Sequence, residues 1–425
     1  MVLMIDLKEA IALDQKDPLA KLKDRFVHQK NEIYMDGNSL GKLPKVVTQI
    51  IYHSLRNQWG ERLIRSWNET WLELPLRIAK KYSQLLNTKK EEILIGESTS
   101  VRLYQIIHAL IKSGLFAKQL GSDRLNFPTD LYILEGLAQD ALLAPPILVD
   151  YKQEVVADLE LLKTTIQNNP GIYCFSLVSY KSSFLYPMKL LNAWAEKHQS
   201  IIVWDLSHAI GAVAIDLKAS RCKIALGCSY KYMNGGPGAP AFLFVEKTLQ
   251  KQLFNPIQGW FGHQNPFSFE SKYHPEAGIN RFAIGTPPIL SMQAMEAGID
   301  LVLEAGIKNI RSKSEQLCQF FLKGVTSNLL SLGFGLESPS EISNRGAHIT
   351  LSHSASWQIC KALINGNSKE GLIIIPDFRP PSFIRFGIAP LYTGFEDLYK
   401  VICRLEEIVL SKEYLQFDDK KPKVT

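Results

Sequence analysis

The hydrophobic pattern in the middle of the chain alternates between two periods. Short runs of apolar and β-branched residues at 172–178 and 201–204 predict buried strands. Between them, residues 188–198 carry apolar side chains at helical spacing. Strands that alternate with helices are typical of a mostly parallel sheet covered by helices, so we predict an α/β fold.

The same pattern predicts further elements toward the C-terminus. Residues 240–245 predict another strand, and 289–303 predict a long helix after two prolines. Beyond about residue 310 the predicted elements are strands at 347–351 and 372–375 and helices at 357–364 and 395–410. We place a domain boundary near residue 300 and expect three parts, namely an N-terminal segment that packs on both domains (1–60), a large domain (61–300) and a smaller α+β domain (301–425).

The composition is that of an ordinary globular protein. Of 425 residues, 46% are hydrophobic and 21% are charged, which excludes disorder, collagen and coiled coil for the whole chain. The net charge of +6 is spread out, and the one dense basic run is Lys420, Lys421 and Lys423. This gives little support for a nucleic-acid partner and fits a site that attracts anionic small molecules.

Cysteine use and the N-terminus favour a cytoplasmic protein. The six cysteines include no Cys-x-x-Cys pair, so we expect reduced thiols and no metal site. Asp6, Glu9 and Asp14 stand where a signal peptide would be basic and then apolar. We find no uncharged apolar stretch of 18 residues, so we expect no membrane contact.

A lysine before a glycine-rich turn is the most informative feature. Residues 228–240, CSYKYMNGGPGAP, place Lys231 between two tyrosines, where a strand gives way to a flexible loop. Lysine forms Schiff bases with carbonyl compounds once its pKa is lowered. A lone lysine is more often a surface residue, so the neighbouring motifs decide between these interpretations.

An acidic residue follows the predicted strand at 201–204. Asp205 stands at the carboxyl end of that strand, where open α/β sheets bind ligands. A buried carboxylate needs a partner, and a pyridinium nitrogen is one such partner. A helix cap or a salt bridge would also explain Asp205, and the chain before Lys231 is long enough for one helix and a returning strand. His208 could donate or accept a hydrogen bond at the same place, or be a loop histidine.

Two further windows offer polar groups. Before a predicted helix at 101–111 come three hydroxyl residues, Ser98, Thr99 and Ser100. Hydroxyls and free N–H groups at a helix start suit a phosphate, although helix capping is the ordinary role. The window NFPTD offers Phe127 to stack on a flat cofactor and Asp130 as a polar contact, although it also fits a turn with a buried phenylalanine.

Together and in this order, the motifs resemble the kynureninase family of fold-type-I pyridoxal-phosphate hydrolases, in the aspartate aminotransferase superfamily. The matching segments are YMDGNSLG (34–41), LIRSWN (63–68), ESTSV (97–101), FPTD (127–130), WDLSHAIGAV (204–213), CSYKYMNGGPGAPAF (228–242), GWFGH (259–263), RFAIGTPPIL (281–290) and FIRFGIAPLY (383–392). They cover nearly the whole chain, and several are specific to the family rather than to the superfamily.

The resemblance implies a role for each matching residue. Lys231 would hold the cofactor as a Schiff base and remove the substrate Cα proton, and Asp205 would pair with the pyridinium nitrogen. Arg385 would bind the substrate α-carboxylate as a bidentate fork. The cofactor ring would stack on Phe127. The cofactor phosphate would be held by Thr99, Ser100 and Tyr230, together with Trp260 and Thr286 from the neighbouring subunit. The remaining contacts to the cofactor would come from Asp130, Ser176 and His208. Tyr230 is also the candidate proton donor.

The reaction so implied is hydrolysis of the Cβ–Cγ bond of kynurenine, or of 3-hydroxykynurenine, to anthranilate or its hydroxy derivative and alanine. This is a step of tryptophan catabolism and of NAD biosynthesis, and its partners would be a small amino-acid substrate and a second copy of the chain. Some positions depart from the family pattern. Ser183 stands where we expect glycine, Tyr186-Pro187 where we expect a His-Asp pair, and Arg102 where asparagine is usual.

Two other classes of function remain open. A cysteine-desulfurase-like lyase needs a mobile nucleophilic cysteine, for which Cys360 is the candidate. Its neighbours fit one face of a helix, which favours a buried structural thiol. A cofactor-free binding protein on the same scaffold would not need Lys231, Asp205 and Arg385.

Overall fold

A seven-stranded sheet forms the centre of the structure, a computed structural model that describes residues 5–366 and 371–420. The strands of the described chain are β1 (Glu32–Tyr34), β2 (Ile93–Ile95), β3 (Leu120–Asp123), β4 (Ile147–Val149), β5 (Ile172–Ser176), β6 (Ile201–Asp205), β7 (Ile224–Gly227), β8 (Phe242–Val245), β9 (Gly335–Leu336), β10 (His348–Ser352), β11 (Ile373–Ile375), β12 (Asp377–Arg379) and β13 (Phe383–Gly387). The α-helices are α1 (Leu7–Lys16), α2 (Lys45–His53), α3 (Leu74–Leu85), α4 (Thr99–Ser113), α5 (Pro128–Asp140), α6 (Leu159–Asn168), α7 (Met188–Lys197), α8 (Lys247–Gln250), α9 (Ile289–Ala305), α10 (Ile307–Gly324), α11 (Ser356–Asn365) and α12 (Phe395–Leu410).

The central sheet has the strand order β2-β8-β7-β6-β5-β3-β4. Its neighbours are parallel except at β8, which is antiparallel to both β7 and β2. The predicted α/β fold with a mostly parallel sheet is therefore confirmed. Helices cover both faces of the sheet. Because strand β6 is therefore buried on both sides, residues 201–204 are all apolar. Ile202 and Trp204 face one core, and Ile201 and Val203 face the other.

A second, antiparallel sheet belongs to the C-terminal part of the chain. Its order is β12-β13-β10-β9, and helices α10, α11 and α12 pack with it around a separate hydrophobic core. Side chains change from one core to the other within α10, where Ile310 belongs to the first and Leu317 to the second. The predicted domain limits at 60 and 300 stay predictions.

The N-terminal segment contacts both parts of the molecule. Helix α1 packs on α12, and the Asp14 carboxylate accepts hydrogen bonds from the backbone N–H groups of Phe395 and Glu396 at 2.8 and 2.9 Å. Further on, Gly41 N donates to Tyr230 O at 2.8 Å, and a Cβ at Gly41 would lie 2.3 Å from Lys231 O. Only glycine permits this approach to the loop that carries the lysine.

The chain between Asp205 and Lys231 is long enough for one helix and a returning strand, and the structure has the strand without the helix. The chain between Asp205 and Lys231 contains turns over 206–222 and then strand β7, with no α-helix among these residues. Among the described helices, none combines the length and hydropathy that a membrane crossing needs. The basic tail residues Lys421 and Lys423 lie outside the described residues.

Candidate active site

Lys231 lies in the loop after β7, at the carboxyl edge of the central sheet, and only 9% of it is exposed. Its Nζ lies 3.0 Å from Nε2 and 3.3 Å from Nδ1 of His208, and 5.7 Å from the ring centre of Phe127. Burial lowers the pKa of Lys231 and therefore favours the neutral amine, which is the nucleophilic form. The structure thus brings three of the predicted site residues together.

Two buried carboxyl groups, Asp205 and Asp130, lie near this lysine. Asp205 ends β6, and its Oδ1 accepts from Ser207 N at 2.8 Å and Ser207 Oγ at 2.5 Å. Asp130 Oδ2 has no hydrogen-bond partner among the described residues. Burial raises the pKa of both groups, and Asp205 raises that of Asp130 further. Such a pair calls for a donor or cation from a ligand.

The predicted phosphate site lies at the start of α4, a helix of 15 residues. Ser98 is its N-cap, with Oγ accepting from Val101 N at 3.3 Å, so the ordinary capping role holds for Ser98. Thr99 and Ser100 occupy the first turn and are half-buried. The positive end of the helix dipole and the free N–H groups there favour an anion.

Asn126 is a central residue of the site that we did not predict. Its Oδ1 accepts from Phe127 N at 2.8 Å, Ser176 N at 3.1 Å and Ser176 Oγ at 2.6 Å. Its Nδ2 donates to Ser122 Oγ at 3.1 Å and Cys174 O at 3.2 Å. Asn126 thereby fixes Phe127 and Ser176 relative to each other. The one signal in the sequence is a polar residue directly before Phe127-Pro128.

Arg385, on β13, is 1% exposed. Its Nε donates to Asp377 Oδ2 at 2.5 Å, with which it forms a buried ion pair. Nη1 donates to Tyr180 O at 2.5 Å, and Nη2 donates to Ser39 Oγ at 3.2 Å. Arg385 contributes to the lowered pKa of both Lys231 and His208, so it belongs to the same electrostatic environment.

The remaining predicted residues divide into two groups. Tyr230 is half-buried beside Lys231, and the neighbouring Cys228 thiol, followed by burial, raises its pKa. Trp260 is 41% exposed, and Thr286 is also exposed. Within the part of the chain that the structure describes, no hydrogen bond, ion pair or ring contact joins either of them to Lys231.

The residues that depart from the family pattern are well packed. Ser183 has a φ of 70°, a left-handed conformation that favours glycine. Tyr186 Oη donates to the buried Asp123 carboxylate at 2.6 Å, and Tyr151 Oη donates to the same oxygen at 2.9 Å. The Arg102 guanidinium is buried and donates to Gly96 O at 3.1 Å and Phe282 O at 2.7 Å.

Comparison with known proteins agrees with this geometry. Residues 310–405 match the family described as kynureninase C-terminal domain, and residues 33–341 match aminotransferase class-V. A kynureninase of Burkholderia mallei is 33% identical over 407 residues, 95% of either chain. A kynureninase of Pseudomonas fluorescens is 33% identical over 413 residues, 96% of either chain. The chain belongs to the kynureninase family.

Solved structures share the fold at lower sequence identity. A cysteine desulfurase from Thermococcus onnurineus NA1 has a TM-score of 0.76 and 16% identity, covering 97% of this chain and 100% of that one. An alanine–glyoxylate aminotransferase from Nostoc has a TM-score of 0.67 and 15% identity, covering 90% and 96%. The predicted fold type and family are both confirmed.

The likeness to a desulfurase stops at the fold, because the candidate thiol is unsuited to that chemistry. Cys360 lies on α11 and is 0% exposed. Burial raises its pKa well above the ordinary value, so the thiolate is disfavoured. Cys360 is packed in the core of the C-terminal sheet, as the pattern of its neighbours predicted.

Proposed function

We propose that the protein is a pyridoxal-phosphate-dependent hydrolase that cleaves the Cβ–Cγ bond of kynurenine or 3-hydroxykynurenine. The products are anthranilate, or its hydroxy derivative, and alanine. The observation that carries the proposal is a buried Lys231 amine of lowered pKa, set between Phe127 and His208. It occurs in a chain that is 33% identical to kynureninases over nearly its full length.

The residues present fit the cofactor. Asp205 and Asp130 are buried acids, and the unpartnered Asp130 oxygen would accept a hydrogen bond from a bound group. Phe127 offers a ring face, and Thr99 and Ser100 offer donors at a helix start. Bound here, pyridoxal phosphate would draw electrons from the substrate Cα, so that the Cα proton can leave and the Cβ–Cγ bond can break.

Proton transfers fall to Lys231 and Tyr230. The neutral Lys231 amine would take the substrate Cα proton, and burial, which lowers the pKa of Lys231, favours this form. Water would add to the Cγ carbonyl, so that Cγ leaves as the carboxyl group of anthranilate. Tyr230, whose raised pKa keeps its hydroxyl protonated, would donate a proton to Cβ, which retains the electron pair of the broken bond. The neutral His208 ring would accept a hydrogen bond from the lysine and so orient it.

Arg385 would anchor the amino-acid substrate. Asp377 orients the guanidinium through Nε, while Tyr180 O and Ser39 Oγ accept from Nη1 and Nη2. A substrate carboxylate would replace these two neutral acceptors with a charged one. Charge-assisted bonds of this kind are roughly twice as strong as neutral bonds, which favours the exchange.

A homodimer with shared active sites is part of this proposal. Trp260, Phe267 and Phe269 form an aromatic patch with ring centres 5.7 and 6.5 Å from Trp260, and all three are exposed. If a second copy of the chain covers this patch, the Trp260 and Thr286 of each subunit would reach the active site of the other subunit. Light scattering at assay concentration checks this, and a fully active monomer would refute it. A cytoplasmic location remains a prediction from the sequence.

The decisive test is a turnover assay. Purified protein with pyridoxal phosphate is given kynurenine, 3-hydroxykynurenine or cysteine, and anthranilate fluorescence is followed. We expect turnover of at least one kynurenine and none of cysteine. Lys231→Ala should lose both turnover and the visible absorption of the lysine-bound cofactor. A visible band with no turnover of either kynurenine would keep the cofactor site and refute the proposed substrate.

A further inference from the structure

A second buried histidine lies near His208. His348 begins β10 in the C-terminal sheet and is 0% exposed. Its ring centre lies 6.0 Å from that of His208, at an interplanar angle of 55°. Neither ring nitrogen of His348 has a hydrogen bond of good geometry to a described residue, although the Tyr180 carbonyl lies close enough to act on the ring. A fully buried side chain with two unpartnered polar atoms is uncommon and calls for an explanation.

The backbone around His348 is held firmly against the large domain. Its own N–H donates to Ser183 Oγ at 3.4 Å, and Gly346 N donates to Ser183 O at 2.8 Å. On the other side, Thr350 Oγ1 donates to Lys181 O at 2.5 Å. These contacts bridge the two sheets, so the ring has a defined position relative to His208.

Charged groups surround the ring and keep it neutral. Burial, then Arg385, Arg345 and Lys231, lower the pKa of His348, while the Tyr180 carbonyl opposes them. The same causes, burial and Lys231 foremost, keep His208 neutral. Two neutral imidazoles in sequence can each offer one donor and one acceptor.

We propose that His348 is a positioning residue, whose imidazole accepts a hydrogen bond from His208 and thereby fixes the His208 tautomer that accepts from Lys231. The order of donation would run from Lys231 to His208, then to His348, and from His348 to Tyr180 O. A histidine's tautomer is set by the partner of its other nitrogen. The ring centres lie 6.0 Å apart and no direct hydrogen bond joins these two described residues, so the contact would run through a bridging water.

The inference rests on the proposed roles of Lys231 and His208, and not on the identity of the substrate. The test uses full-length protein with ¹⁵N-labelled histidine rings, recorded both without the cofactor, where the Lys231 amine is free, and with the cofactor bound. The nine histidines of the chain give a tractable spectrum, in which His208→Gln identifies the His208 signals. We expect wild-type His208 to show one protonated and one unprotonated nitrogen.

His348→Leu removes the acceptor, and His348→Gln retains one. In His348→Leu we expect the two His208 nitrogen signals to move toward each other, with kcat lower by on the order of 10-fold and KM nearly unchanged. His348→Gln should recover part of both. The control is His353→Gln, because His353 is buried in the same domain, where its Nδ1 accepts from Ala355 N and its ring packs on Phe334.

Each outcome decides the proposal. Unchanged His208 signals in a folded His348→Leu protein would overturn it, as would the same kcat loss in His353→Gln. If His348→Leu does not fold, His348→Phe, which keeps a planar ring but has no acceptor, takes its place, and unchanged His208 signals in that variant would overturn the proposal too. Wild-type protein that binds the cofactor but turns over neither kynurenine would refute the proposed substrate, while the nitrogen signals would still test His348.

Discussion

Asn126 offers a sharp test of how the site is held together. Its side-chain amide makes hydrogen bonds to the backbone or side chains of Phe127, Ser176, Ser122 and Cys174. Asn126→Ala would leave two buried N–H groups, those of Phe127 and Ser176, without this acceptor. Leaving a buried donor unsatisfied costs about 1–3 kcal/mol. Since water entering the space would recover part of this, we expect a loss of about 3 kcal/mol.

The expected readouts follow from that figure. At about 2–4 °C per kcal/mol for domains of 150–250 residues, the melting temperature of Asn126→Ala should fall by roughly 6 °C or more. Phe127 and Ser176 would also lose their fixed positions, so the Kd for pyridoxal phosphate should rise by on the order of 10-fold, about 1.4 kcal/mol. Scanning calorimetry and equilibrium titration of the apoprotein measure these two quantities.

A matched control lies at the other side of the sheet. Asn192, on α7, is also buried, accepts from Trp204 Nε1 at 2.7 Å and donates to Ser220 O at 2.8 Å. Asn192→Ala should lower the melting temperature without changing the Kd for the cofactor. The reasoning would be refuted if Asn126→Ala kept the wild-type Kd, or if both variants weakened cofactor binding equally.

Three further changes test separate parts of the structure. Arg385→Lys should raise KM for kynurenine by on the order of 10-fold, because lysine cannot form the bidentate contact, and steady-state kinetics with unchanged KM would contradict this. Ser183→Gly relieves a left-handed conformation that costs an ordinary residue about 1 kcal/mol but loses the weak hydrogen bond from His348 N, so thermal melts should show stability close to wild type. Ser183→Val loses the same hydroxyl, keeps the strain and should be clearly less stable. Burial raises the pKa of Asp123 to about 6, so folded Asp123 holds its proton more tightly than the unfolded chain, and its contribution to stability falls as pH rises from about 4 to 6. Asp123→Asn should therefore gain stability relative to wild type across that range, by on the order of 2 kcal/mol in urea melts, and a constant difference would contradict the shift.

Much of the site could be predicted because its residues lie in short motifs at strand and helix ends. The run 201–204 is apolar at every position since both faces of β6 are buried, and a polar residue that ends such a strand must face the open edge of the sheet. This placed Asp205 correctly. In the same way, the glycine-rich turn after Lys231 predicted the loop that carries this lysine, and the hydroxyl residues before 101–111 predicted the start of helix α4.

The segment between Asp205 and Lys231, which is long enough for one helix and a returning strand, shows the limit of such reasoning. Residues 206–213 are mostly apolar, but Leu206, Ala209 and Ile210 are buried in successive turns. Local pattern alone does not distinguish a buried turn from a helix, because both bury apolar residues at short spacing.

By itself, the sequence determined the fold class, the lysine, the acid at the end of β6 and the family. These depend on neighbouring residues along the chain, where periodicity and turn chemistry act directly. The tertiary structure alone decided which distant groups meet. Asn126 follows β3 and contacts Ser176 at the end of the neighbouring strand β5. Ser183 accepts from the N–H group of His348 at the start of β10, and the His348 ring lies 6.0 Å from that of His208. Such contacts depend on the packing of whole layers, so no short stretch of sequence carries them.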